Sequence, residues 1–77
     1  MMQITIYGKD DCQFCIAVTN YFTVKAIPYT YLKLGVDFEV EDLLAIAPNA
    51  QTFPQVVIDG NVIGGYESTK QYFANLS

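Results

Sequence analysis

Apolar and polar positions recur along this chain in segments short enough to read one at a time. QITIY at 3–7 is β-branched and aromatic and ends at Gly8, which predicts a buried strand. From Cys12 to about Val24 no Gly or Pro interrupts. Phe14, Val18, Tyr21, Phe22 and Lys25 fall there at three- and four-residue spacings, giving a helix with one apolar face. Asp11 stands ready to cap it, and Pro28 prevents its continuation. YTYLKL at 29–34 alternates and is closed by Gly35, a second strand. Val40, Leu43, Leu44 and Ala47 sit at i, i+3, i+4 and i+7 ahead of Pro48, a second helix. PQVVIDGNVIGG sets two apolar runs around Asp59-Gly60, a dipeptide suited to a tight hairpin, so strands three and four pair antiparallel. Thr69, Tyr72, Phe73 and Leu76 then predict a short third helix starting near Ser68.

The order β-α-β-α-β-β-α predicts an α/β fold: a four-stranded mixed sheet with helices on both faces and one right-handed crossover. At 77 residues the chain has room for a single core, so one domain over 1–77 is expected. With 52% hydrophobic and 16% charged residues it has the composition of a folded chain rather than a disordered one.

Charge removes some functions. Eight acidic residues against four basic ones give −4, and no Lys/Arg cluster exists to displace counterions from a phosphate backbone, so nucleic acid is not an expected partner. No apolar run approaches the roughly 18 residues that span a bilayer, and MMQITIYGKDDC carries neither a basic leader nor an apolar signal region. A cytoplasmic protein without membrane contact is the expectation.

Chemistry enters with GKDDCQFCIAV, which holds both cysteines, Cys12 and Cys15. In a reducing compartment two such thiols are reactive or metal-bound more often than stapled. Without histidine they are too few for a zinc site within one chain, so no metal is assigned. The bland alternative is a pair of packing cysteines. A C-x-x-C beside a βαβ pattern is a thioredoxin-like redox signature. Dithiol exchange needs one ionised, exposed thiol and a second close enough to resolve the mixed disulfide. The free amides and dipole of a helix start favour a thiolate at Cys12, and Cys15 follows by nearly one turn. Cys12 is thus the candidate nucleophile and Cys15 the resolver. Lys9 is the only nearby cation and favours the thiolate, whereas Asp10 and Asp11 oppose it where they point at the sulfur.

Three motifs in order make the chain resemble a glutaredoxin over nearly its whole length. CQFC follows the first strand, TFPQVVIDG is similar to the family's Thr-Val-Pro-Gln strand, and IGGY precedes the last helix. The short length and the ending VIGGYESTKQYFANL resemble the small dithiol members of bacteria and phages. The resemblance implies a thioredoxin-like fold and a cis Phe53-Pro54 peptide beside the cysteines. It also implies a groove for glutathione, the reducing cosubstrate. There Lys9 faces the glycine carboxylate, Phe14 forms the aromatic wall, and Thr52 and Phe53 run along the peptide. Gly65, Tyr66, Glu67 and Ser68 hold the γ-glutamyl end. Gly64-Gly65 also permits close backbone approach, and a helix N-terminus favours an anion.

Some positions depart from the family pattern. Gln13 replaces the common proline between the cysteines, which alters the redox poise. IAVT follows Cys15 where relatives carry basic residues, and Gln51 borders Thr52 where an Arg is frequent, so the groove is less positive than usual. The implied activity is thiol-disulfide oxidoreduction on protein disulfides or glutathione mixed disulfides, at potentials of about −200 to −230 mV. Family precedent makes ribonucleotide reductase one acceptor, with the chain acting as a monomer. Alternatives are reduction by thioredoxin reductase, a dimer holding a [2Fe-2S] cluster through Cys12 and two glutathiones, and a redox-silent interaction domain.

Overall fold

The computed structural model describes residues 2–76. Its elements are β1 (Ile4–Gly8), α1 (Gln13–Val24), β2 (Thr30–Lys33), α2 (Val40–Ile46), β3 (Gln55–Ile58), β4 (Asn61–Gly64) and α3 (Tyr66–Ala74). The sheet order is β2-β1-β3-β4. β1 pairs parallel with β2, Gly8 opposite Lys33. β3 pairs antiparallel with β1, Tyr7 opposite Gln55, and β4 antiparallel with β3. This is the expected four-stranded mixed sheet with three helices.

The helices divide between the two faces because the strands present different side chains to each. On one face Ile4, Ile6, Val56 and Ile58 pack with Val18 and Phe22 of α1, and Tyr72 and Phe73 of α3 close over them. Phe22 is fully buried, its ring 5.6 Å from that of Phe73. Burying such a side chain contributes about 2–3 kcal/mol. On the other face Phe38, Leu43 and Ala47 pack against Tyr7, Leu32 and Phe53. Four readings change in detail. The inner face of α1 is Cys15, Val18 and Phe22, so Phe14 is rotated outward and is 55% exposed. Val40 and Leu44 are exposed; Leu43 is the buried residue of α2, and Ala47 is buried as its C-cap. α3 begins at Tyr66 with Gly65 as its cap, before Ser68, and Leu76 lies beyond its end and is exposed.

Turn chemistry joins these elements. Asp59 and Gly60 have φ of 51° and 83°, the left-handed pair that a two-residue hairpin of matching twist requires. α1 ends before Pro28 is reached: Ile27 N–H donates to Phe22 O at 2.9 Å and Ala26 N–H to Thr23 O at 3.1 Å. That is a Schellman closure with alanine at the left-handed position.

Candidate functional site

β1 delivers the chain to the N-terminus of α1, and the two cysteines meet there. Asp11 does not cap the helix. It adopts φ 53°, and Cys12 takes the cap position, its Sγ accepting from the Cys15 N–H at 3.2 Å. The physical reason is reach: with Asp11 in the left-handed region, the first extended residue, at φ −117°, is Cys12. The sulfur itself thus receives a free amide of the first turn, the arrangement that stabilises negative charge there when the pair is reduced. Cys12 and Cys15 are joined as a disulfide with Cα atoms 5.2 Å apart. Cys12 is 7% exposed and Cys15 only 2%, so an incoming group meets Cys12 first.

A second lysine reaches the loop that precedes the pair. β2 brings Lys33 to Asp10, Nζ to Oδ1 3.0 Å, and this carboxylate holds the Lys33 ammonium above its ordinary range through a hydrogen bond and charge attraction. Burial, with a further contribution from Asp10, pushes the Tyr31 phenol up. Lys9 lies over the Phe53 ring, 5.9 Å from its centroid.

A cleft of about 250 Å³ opens between Phe14, Thr52, Phe53, Pro54, Gly65, Tyr66 and Glu67. Seven of the ten groove residues named from the sequence line it; Lys9, Gln51 and Ser68 do not. The Phe53-Pro54 peptide is cis. A Cβ on Gly65 would sit 3.6 Å from the Pro54 carbonyl, so the start of α3 packs directly on the proline turn. Gly64, at φ 120°, lies where a Cβ would come within 3.1 Å of Ser68 Oγ. Phe14 stacks on Tyr66, centroids 6.2 Å apart and planes 30° from parallel, and forms one wall of the cleft.

Gln55 was missed as a contributor to this site. Its buried side chain donates from Nε2 to Thr52 O at 2.8 Å and fixes the turn that forms the cleft floor. A polar residue opening an otherwise apolar strand was the available signal. Thr69 acts similarly on the other wall: fully buried, it donates from Oγ1 to Gly65 O at 2.8 Å. Among the described residues no group of three or more His, Cys, Asp or Glu gathers to hold a metal, and no helix is long and apolar enough to cross a membrane.

A strand, a helix capped by the first cysteine of a C-x-x-C, and a cis proline turn beside it define a thioredoxin-fold dithiol protein. The glutaredoxin family model matches residues 4–63, and the chain belongs to the glutaredoxin family of thiol-disulfide oxidoreductases. A hybrid peroxiredoxin, hyPrx5 of Haemophilus influenzae, is 32% identical over 71 residues, which cover 92% of this chain and 29% of that protein. The chain therefore spans under a third of that relative. Glutaredoxin 1 of Francisella tularensis, solved with cacodylate, shares the fold at TM-score 0.82 and 19% identity, over 99% of this chain and 96% of that one. A buckwheat glutaredoxin-glutathione complex gives 0.77 at 25% identity, over 96% and 70%.

Proposed function

We propose that this chain, acting as a monomeric single domain over 1–77, reduces protein disulfides and glutathione mixed disulfides with electrons from glutathione. One observation carries the reading: the Cys12 sulfur, receiving the Cys15 amide, lies at the same helix start as the Phe14 wall of a cleft bounded by Thr52–Pro54 and Gly65–Glu67. The Cys12 thiolate attacks one sulfur of the substrate disulfide, whose other sulfur leaves and takes a proton. Cys15, as thiolate, then attacks Cys12 Sγ, forming the intramolecular disulfide and releasing the second substrate thiol. Two glutathiones return the pair to the dithiol and leave as glutathione disulfide, so two electrons pass to the substrate.

In this reading glutathione lies along Thr52 and Phe53 against Phe14, with its γ-glutamyl end at the Gly65–Ser68 helix start and its glycine carboxylate toward Lys9. The helix N-terminus favours the anionic end. Gln51 borders the groove as a neutral residue. A buckwheat relative solved with glutathione supports this ligand. Kinship with a hybrid peroxiredoxin adds a peroxiredoxin disulfide to ribonucleotide reductase among the acceptors to be tried. The compartment this chemistry suits is the glutathione-rich cytoplasm.

The test supplies glutathione, glutathione reductase and NADPH and follows NADPH loss with a small mixed disulfide. Turnover is expected to vanish in Cys12→Ser and to persist in Cys15→Ser, which loses only the reduction of protein disulfides. Equal activity of the two variants overturns the assigned roles. No turnover with both thiols accessible overturns glutathione as donor, and thioredoxin reductase then becomes the electron source to try.

A further inference from the structure

Tyr66 lines two clefts. Besides the one beside Pro54, it borders a cleft of about 430 Å³ together with Ala17, Asn20, Tyr21, Val24 and Lys25. The two meet at the stacked rings of Phe14 and Tyr66. Along α1, Phe14, Ala17, Tyr21 and Val24 are spaced by three, four and three residues and so share one side of the helix. This stripe leads away from the cysteines; Phe14 and Val24 at its ends are exposed, Val24 85%, and Ala17 and Tyr21 between them are half-buried.

Charge distinguishes its far end. The chain is acidic overall, yet two of its four lysines stand beside this surface. Lys70 holds its ammonium 4.7 Å from the Tyr66 ring centroid, but Glu67 lies 3.4 Å away and offsets it. Lys25 lies 5.2 Å from the Tyr21 ring centroid. Among the described residues no carboxylate is within ion-pair distance of Lys25.

We infer that this second cleft is a docking site for the polypeptide that carries the target disulfide. It takes an extended segment flanking the target cysteine, apolar where it crosses Ala17, Tyr21 and Val24 and acidic where it reaches Lys25. The inference rests on the proposed disulfide-reductase reading. Helix rise sets the register: from Cys12 to the level of Tyr21, where the Lys25 ammonium lies, is about 14 Å at about 1.5 Å per residue. An extended peptide covers about 3.3 Å per residue, so the acidic residue falls four or five positions from the target cysteine. A small mixed disulfide held near Phe14 stops short of Lys25, so the cleft selects among protein substrates only.

The test uses synthetic peptides with an internal disulfide and apolar flanks, carrying Asp or Lys four or five residues outside one cysteine, on either side. Each kcat/KM is divided by that for the mixed disulfide of glutathione and 2-mercaptoethanol, measured on the same enzyme. An exposed charge pair is worth up to about a five-fold change. The Asp peptide is therefore expected to be reduced about five-fold better than the Lys peptide at low salt, with the preference reversed in Lys25→Glu and lost in Lys25→Gln. Circular dichroism checks that both variants fold. Equal ratios for the two peptides on the wild-type chain, or an Asp preference that survives in Lys25→Glu, would overturn the docking site. If the small mixed disulfide is not reduced at all, the reductase reading falls and the docking site falls with it.

Discussion

The ring of Tyr31 stands where a side chain at residue 8 would begin. A Cβ built on Gly8 would overlap the Tyr31 phenol, whose oxygen also lies 3.5 Å from the carbonyl of Lys9. The aromatic ring of β2 thus covers the strand end that feeds the cysteine loop. Gly8→Ala is expected to destabilise the protein by about 1–3 kcal/mol, the range for overfilling a packed site. In a Tyr31→Ala background the same change is expected to cost less, because the obstacle is gone. Urea unfolding of the four proteins in the cycle measures the coupling, and an identical cost in both backgrounds would refute the contact as its source.

Ala26 occupies a position that glycine would hold with less strain. Its φ is 57°, and non-glycine residues there carry a penalty of roughly 1–2 kcal/mol. Glycine removes that penalty while adding entropy to the unfolded chain. The net expectation for Ala26→Gly is stabilisation by about 0.5–1 kcal/mol, with α1 otherwise intact. The urea midpoint should rise at unchanged m-value; a fall would show that Ala26 contributes packing that the strain argument omits.

Stability should fall on the alkaline side. Tyr31 and Lys33 both have folded-state values above their ordinary 10.0 and 10.5. Below pH 10 both groups keep their protons in the folded and unfolded chains. As pH rises past the ordinary values the unfolded chain releases protons first, so the unfolded state gains and stability declines until the folded groups also titrate. Asp10 is a cause of both shifts: it holds Lys33 directly, and its negative charge acts on Tyr31 second to burial. Asp10→Asn should therefore flatten the decline above the ordinary values of 10.0 and 10.5 in urea unfolding of the oxidised protein. A wild-type curve with no decline, or an identical slope in the variant, contradicts the assignment.

Local patterns and long-range contacts were unequally legible. The hairpin at Asp59-Gly60 was readable because one dipeptide fixes both the turn and the pairing of its neighbours. The mixed four-stranded sheet is legible in the order of the elements, whereas the strand order β2-β1-β3-β4 is set by long-range pairing, and the groove residues rest on the family resemblance alone. The start of α1 at the cysteines is legible in the sequence, but its cap is not: aspartate is a strong cap residue, and nothing local shows that Asp11 turns left-handed and passes the role to a sulfur. Phe14 was assigned to the helix face because it lies four residues before Val18; Cys15, three before Val18, holds the inner position instead. The contacts of Tyr31 with Gly8 and of Lys33 with Asp10 join residues more than 20 apart in sequence. They follow from β1 and β2 lying side by side, and no spacing along the chain encodes them.

Phe14 separates binding from stability, because it faces the cleft while remaining more than half exposed. Removing its ring deletes a wall and the stacking on Tyr66, an aromatic contact worth about 0.5–1.5 kcal/mol beyond area burial. The fold should tolerate Phe14→Ala at a cost of about 0.5–1.5 kcal/mol, that of the lost stacking, since the inner face of α1 is Cys15, Val18 and Phe22. The cysteines keep their positions, so the chemical step is unaffected. A residue that binds ground state and transition state alike raises KM and leaves kcat in place. Phe14→Ala is thus expected to raise KM for a glutathione mixed disulfide roughly five- to ten-fold at nearly constant kcat. Phe14→Tyr, which keeps the ring, should retain most of the affinity. An unchanged KM in Phe14→Ala would remove this cleft from the reaction, and a collapse of kcat alone would place Phe14 in the chemistry rather than in binding.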